Sequence, residues 1–197
     1  DFVHLEGAWV RERNIQKMPL INGIMSVDSK RVSSSHFHSP FLALARKNAT
    51  ETEGEVYGFS LIYSGNHIEQ VDVNPFDQAR VHIGINPFEF GWVLEPGCQF
   101  QTPEAVLTYS DEGFGKMSRT YHKLYRTRLV RGKYRDIERP VLINNWEATY
   151  FNFTEEKILD IAKKAKSVGV ELMVLDDGWF GVRNSDTCSL GDWVANP

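Results

Sequence analysis

Two hydrophobic rhythms divide the chain. From residue 1 to about 112 the apolar residues fall in short runs of strand type. Asp1-Phe-Val-His-Leu5 opens in this way, and Arg31–His38, Phe41–Arg46, Val56–Tyr63, Ile68–Val73, Arg80–Ile85 and Ala105–Tyr109 follow. Ser64-Gly-Asn66, Asn74-Pro75, Asn86-Pro87 and Glu95-Pro-Gly97 supply turns between them. Short strands with turn signals at such spacing predict an all-β sandwich. Over residues 115–131 the period changes. Met117, Tyr121, Leu124, Tyr125 and Leu129 fall on one face of a helix. From Arg139 the grammar is strand-helix-strand. Val141-Leu-Ile143 is an apolar run ending in Asn144-Asn-Trp146. Thr154 is a good N-cap, with Glu155 and Glu156 in the first turn, where the helix dipole favours anions. Ile158, Ile161, Ala162, Ala165 and Val168 mark one face of a helix, and Gly169 a stop. A second apolar run, Leu172-Met-Val-Leu175, ends in Asp176-Asp-Gly178. Such a unit pairs its two strands in parallel through a right-handed crossover. One unit cannot close a parallel sheet, so the second part of the chain reads as the opening of a larger α/β domain.

Composition narrows the partners. The chain has 197 residues and a net charge of −4, which gives no global attraction to nucleic acid or anionic membrane. No run approaches the ~20 apolar residues of a spanning helix. From Lys116 to Arg139 nine Lys and Arg stand against Asp136 and Glu138. A nucleic-acid site there is one reading, but no aromatics interleave on the charged face, and a solvated helix running into a linker accounts for it. Cys98 and Cys188 are far apart and outside any metal or disulfide pattern. His36 and His38 would share a face if their segment were a strand, yet no third ligand lies nearby, so no metal and no cofactor are expected. There is neither an initiator Met nor a signal peptide, and the chain reads as an excised or processed piece; a cytoplasmic, bacterial-type location is expected, with secretion left open because the true N-terminus is missing.

The chemistry concentrates at the ends of the two parallel runs. An unpaired buried carboxylate is costly, so two adjacent acids closing an apolar strand call for a reason. In α/β folds ligands bind at the carboxyl ends of parallel strands. Asp176 and Asp177 are hydrogen-bond acceptors and Trp146 is an aromatic face, a combination that suits the hydroxyl edges and C–H faces of a sugar. Trp146 alone reads more readily as a core residue, and only beside Asp176 and Asp177 does sugar stacking weigh as much. Glu147 with Asp176 or Asp177 could form a glycosidase acid/base pair, or Glu147 could be a surface group of the loop. Trp179 and Phe180 read as loop packing, and Asp192-Trp193 is a further candidate.

These residues also carry a resemblance. Arg139-Pro-Val-Leu-Ile-Asn-Asn-Trp-Glu-Ala-Thr-Tyr-Phe151, followed by Val174-Leu-Asp-Asp-Gly-Trp-Phe-Gly181 and Leu190-Gly-Asp-Trp193, resembles the α-galactosidases of glycoside hydrolase family 36. Gly7-Ala-Trp-Val-Arg-Glu-Arg13 and the Gly91–Tyr109 stretch, with Glu95-Pro-Gly97 and Gln101-Thr-Pro-Glu-Ala105, resemble the same family's N-terminal β-domain. The resemblance implies a multi-domain β plus α/β protein, a β-supersandwich followed by a (β/α)8 TIM barrel. On this chain it implies the later part of the sandwich at 1–114, a connecting helix and linker at 115–138, and the first strand-helix-strand of the barrel at 139–197. It further implies that Trp146, Asp176 and Asp177 line a galactose pocket, the acids recognising the axial O4 and the O6, and that Trp9 is brought to its mouth. The catalytic nucleophile and acid/base would be aspartates of later barrel strands, beyond residue 197, so Glu147 and Asp176 would not be the catalytic pair.

The implied activity is a retaining exo-α-galactosidase acting on melibiose- and raffinose-type oligosaccharides through a covalent galactosyl-Asp intermediate. These 197 residues alone are expected to be inactive. A galactosyl transferase of the raffinose- or stachyose-synthase type stays open, as does, from another class, a non-catalytic β-sandwich carbohydrate-binding module. The expected partners are galactose-containing oligosaccharides, with no nucleic acid and no membrane. A homo-oligomer, with a tetramer as one form, is implied for the full-length protein.

Overall fold

A computed structural model of the chain describes residues 1–196 and divides it into two units, Asp1–Val130 and Arg131–Pro197. The first begins with strands β1 (Phe2–Ala8), β2 (Arg11–Met18), β3 (Gly23–Asp28), β4 (His38–Ala45), β5 (Val56–Ile62), β6 (His67–Val73), β7 (Ala79–Ile85) and β8 (Glu104–Ser110). They form two antiparallel sheets, ordered β2-β1-β4-β5-β8 and β3-β6-β7. Neighbouring residues on a strand point to opposite faces, and two cores result. Phe2 and Leu42 join Val27, Val71 and Val73 in one cluster, uniting the two sheets. Val3, Ala43, Ala45 and Val56 face the other way, against Met117 and Tyr121 of helix α1 (Gly113–Leu124). The sandwich therefore has a helix laid on its larger sheet.

That packing needs a small residue beneath the helix. A Cβ on Gly58 of β5 would lie 2.7 Å from Met117 Sδ and 2.8 Å from Tyr121 Cε2. The Tyr121 hydroxyl donates to the Val106 carbonyl on β8 at 3.0 Å, fixing the helix to a second strand. After Leu124 the helix passes into a π-turn at Tyr125–Leu129. Here the helical stripe expected from the sequence slips. Tyr125 still packs on the core, but Leu129 is exposed, because the wider turn carries it off the buried face. The helix thus packs within the first unit.

The strand predictions need two corrections. Arg31–His38 is not a strand. Val32 and Ser35 take left-handed backbone conformations, and only His38 enters β4. His36 therefore precedes the strand and does not share a strand face with His38. Conversely, β2 and β3 carry no strand signal strong enough to be read. Seven of the eight residues of β2 are exposed, so no apolar alternation marks it. A buried polar pair, His67 and Glu69, shares one face of β6 with Nδ1 and Oε2 2.7 Å apart. Burial pulls the imidazole down, but the hydrogen bond and charge of Glu69 outweigh it and hold His67 above its ordinary value.

The second unit contains β9 (Leu142–Asn144), the one-turn helix α2 (Trp146–Thr149), α3 (Glu155–Ser167) and β10 (Leu172–Val174). The strands pair in parallel, Leu142 with Leu172 and Asn144 with Val174. Thr154 caps α3 as expected, its hydroxyl accepting from the Lys157 N–H at 3.3 Å. The strand-helix-strand reading of the sequence is the observed topology.

Candidate functional site

The parallel register brings the ends of β9 and β10 to one edge, and two asparagines tie them together. Asn145 is fully buried. Its N–H reaches the Val174 carbonyl at 3.3 Å, extending the ladder by one step. Its side-chain oxygen accepts from the Asp176 N–H at 2.8 Å, and its amide donates to the Thr149 hydroxyl at 2.9 Å. Asn144 works on the outer side. Its oxygen accepts from the Trp146 N–H at 2.7 Å, turning the chain into α2, while its amide donates to Asp176 Oδ2. The same side chains thus position Trp146 and Asp176.

Trp146 is half-buried and held edge-on by Tyr150 and Phe151, with ring centroids 5.3 and 4.8 Å away. Glu147 is exposed and receives the Tyr150 hydroxyl at 3.1 Å. Among the described residues it makes no hydrogen bond to Asp176 or Asp177, which suits its reading as a surface group of the loop.

The two aspartates differ in what they have left to offer. An ionised carboxylate has about four lone-pair sites. Asp176 accepts from Asn144 and from the Asp177 N–H. Asp177 accepts from the Gly178 N–H at 2.8 Å and from both Nε and Nη2 of Arg183, at 2.7 and 2.6 Å. The Arg183 guanidinium, with the Gly178 N–H, holds the Asp177 carboxyl below the usual carboxylate range against the opposing effect of partial burial. Gly178 has a φ of +94°, and a Cβ there would meet the Phe153 ring at 3.1 Å, so the chain can turn this tightly only at a glycine.

The loop beyond is built on Phe180, which is buried against Trp179 and Trp193 at 5.1 and 4.7 Å. Phe180 is therefore loop packing, as read from the sequence, whereas Trp179 touches its ring and is itself exposed. Asp192 and Trp193 are exposed. Trp9 belongs to the first unit, in the turn between β1 and β2, with 81% of its surface exposed. Trp146, Asp176 and Asp177 are thus gathered at one sheet edge, and Trp9 projects from a hairpin of the sandwich.

Three residues of this arrangement had no role in the sequence reading: Asn144, Asn145 and Arg183. The asparagines carried a usable signal. Two polar residues closing an apolar strand raise the same question as the two aspartates opposite. Arg183 carried none, because a single arginine in an irregular loop has no period to betray its partner.

Comparison with known proteins agrees with this architecture. Residues 1–95 match the glycosyl hydrolase family 36 N-terminal domain, and residues 99–197 match the Melibiase family. The second match includes β8, a strand of the sandwich, and α1, which packs on it. The chain is 60% identical over 196 residues to the α-galactosidase AgaA of Geobacillus stearothermophilus, covering 100% of this chain and 27% of that protein. It is 49% identical over 193 residues to the α-galactosidase Mel36A of Lactobacillus acidophilus, covering 98% and 26%. A crystal structure of a substituted AgaA in complex with raffinose superposes with a TM-score of 0.94 at 60% identity, over 100% of this chain and 27% of that one. The chain thus spans about a quarter of the length of the curated relatives it matches. A sandwich matching the family's N-terminal domain, followed by the start of its catalytic barrel, means that the chain belongs to glycoside hydrolase family 36.

Proposed function

We propose that this chain is part of a retaining exo-α-galactosidase that removes terminal α-galactosyl residues from melibiose- and raffinose-type oligosaccharides. In this reading residues 139–197 open the catalytic barrel, and Trp146, Asp176 and Asp177 contact galactose, with Trp9 at the pocket mouth. The observation that carries it is the convergence of Trp146, Asp176 and Asp177 on the carboxyl edge of the parallel strands. That edge is where barrel enzymes place their active sites. The relatives are named α-galactosidases, and solved structures of AgaA hold raffinose and stachyose. The parallel unit also argues against a free-standing binding module, which has no use for the start of a barrel.

The geometry supports binding rather than bond cleavage as the role of the acid pair. A retaining glycosidase needs one carboxyl that can donate a proton and one carboxylate free to attack, ~5–5.5 Å apart. Asp177 is held ionised by Arg183, so it is a poor proton donor, and its oxygens are largely occupied. Asp176 lies against Asn144 and the Asp177 N–H. Both therefore suit the role of oriented acceptors for sugar hydroxyls, and the nucleophile and acid/base fall to other carboxylates of the full-length protein.

The test is substitution in that full-length protein. Asp176→Asn and Asp177→Asn each remove charge-assisted hydrogen bonds, so kcat/KM for p-nitrophenyl α-galactoside should fall roughly 10- to 150-fold in each. Azide should restore activity to neither, since azide replaces a missing nucleophile. Wild-type kinetics in both variants, or rescue by azide, would refute the assignment.

A further inference from the structure

Arg183 lies in the loop after β10, and only 6% of its side chain is exposed. All three of its nitrogens are committed. Nε and Nη2 form a fork on the two oxygens of Asp177, at 2.7 and 2.6 Å. Nη1 donates to the Ser185 and Cys188 carbonyls, at 2.7 and 2.8 Å, which pins the guanidinium to the loop. The rings of Phe151 and Phe180 stand 5.6 and 5.8 Å from the cation. A guanidinium so enclosed has little to offer a substrate directly, and its effect must pass through Asp177.

We propose that Arg183 is a positioning residue for sugar binding. By clamping both oxygens of Asp177 it leaves that carboxylate one free acceptor direction, fixed and ionised, and so sets how strongly and in what orientation one hydroxyl is held. The proposal rests on the reading of Asp177 as a galactose contact. The count supports it. Of about four lone-pair sites, Arg183 takes two and the Gly178 N–H one, leaving one. Without the fork the carboxylate is freer to turn about its own axis. It would also lose the cation that holds its carboxyl below the usual range. Lysine is not an equivalent replacement, because a point charge cannot hold two oxygens in one plane.

The experiment measures D-galactose affinity by titration calorimetry in the full-length protein, for Arg183→Met, Arg183→Lys, Asp177→Asn and the double variant Asp177→Asn/Arg183→Met. Arg183→Met should bind galactose about 10-fold more weakly, in line with one charge-assisted hydrogen bond, and Arg183→Lys should fall between it and wild type. In the Asp177→Asn background, Arg183→Met should add no more than about 2-fold, because the partner it acts through is already gone. An arginine that only held the loop in place would give additive losses, and additivity would overturn the proposal. A pH series between about pH 3 and about pH 7, which takes in the ordinary carboxylate range, gives a second readout. Arg183 keeps the Asp177 carboxyl low, so its removal lets that value rise, and galactose affinity should begin to fall at a higher pH than in wild type. If Arg183→Met does not fold, Arg183→Lys carries the same cycle and pH series, and wild-type affinity in that variant refutes the fork. Asp177→Asn with unchanged galactose affinity would instead remove the galactose reading of Asp177, and the proposal with it. A weakened Asp177→Asn beside unaffected Arg183 variants removes the positioning role alone.

Discussion

Asn145 is completely buried at the joint between β9 and β10, and its side chain serves both strands. It supplies an acceptor to the part-buried Asp176 N–H and a donor to Thr149, so its loss leaves the Asp176 N–H without its acceptor, while the Thr149 hydroxyl keeps the Asn145 and Tyr150 carbonyls. Asn145→Ala should therefore cost about 1–3 kcal/mol of stability, the penalty of an unmade buried hydrogen bond. It should also weaken galactose binding, because the Asp176 backbone loses its anchor. Denaturant unfolding and galactose titration of the full-length protein check the two effects, and an unchanged unfolding midpoint would mean that Asn145 is replaceable by water. The residue scale also separates the two aspartates. They are adjacent in sequence, yet one answers to Asn144 and the other to Arg183. That division could not be read from the dipeptide.

At the scale of elements, the docking of α1 depends on a glycine in the strand beneath it. A side chain at Gly58 would intrude on Met117 and Tyr121, both buried. Gly58→Val should destabilise by about 1–3 kcal/mol through overpacking. Gly84 on β7 is the control, since a Cβ there meets nothing within 4 Å, and Gly84→Ala should stay within about 0.5 kcal/mol of wild type. Thermal melts of both variants test the pair, and equal melting temperatures would show that the helix yields to the new side chain. Elements were legible wherever burial imposed a period. β6 alternates buried and half-buried positions along its whole length, and its run was read with little error. β2 has almost no buried side and was invisible. The polar run Arg31–Phe37 imitated a strand, but two left-handed residues fold it into a loop in which Arg31 stacks on Phe37 at 3.8 Å.

At the scale of the whole molecule, the second unit holds two short parallel strands among the described residues, and Leu142 and Leu172 are 51% and 42% exposed on them. A two-stranded sheet of this kind is marginal in water, and exposed apolar edges invite association. The isolated residues 1–197 should therefore show no hydrolysis of p-nitrophenyl α-galactoside and should self-associate unless another segment or chain covers the edge. Assay at high protein concentration, with light scattering on the same sample, tests this. A soluble monomer with turnover abolished by Asp176→Asn would overturn it and restore Glu147 with Asp176 as a working catalytic pair.

What the sequence determined by itself was local. The apolar runs, the cap at Thr154 and the glycine after Val168 specify a strand-helix-strand unit. The polar residues that end each run mark its candidate functional edge, because burying them without a partner would cost more than the fold can spare. These signals act over a few residues and survive in one dimension. Tertiary structure decided the rest: which partners Asp176 and Asp177 take, that β2 and β3 are strands at all, and that the helical stripe slips beyond Tyr125, at Leu129. Edge-strand pairing, a loop's hydrogen bonds and a fork between an arginine and an aspartate have no period. Their free energy comes from groups that meet only after the chain has folded.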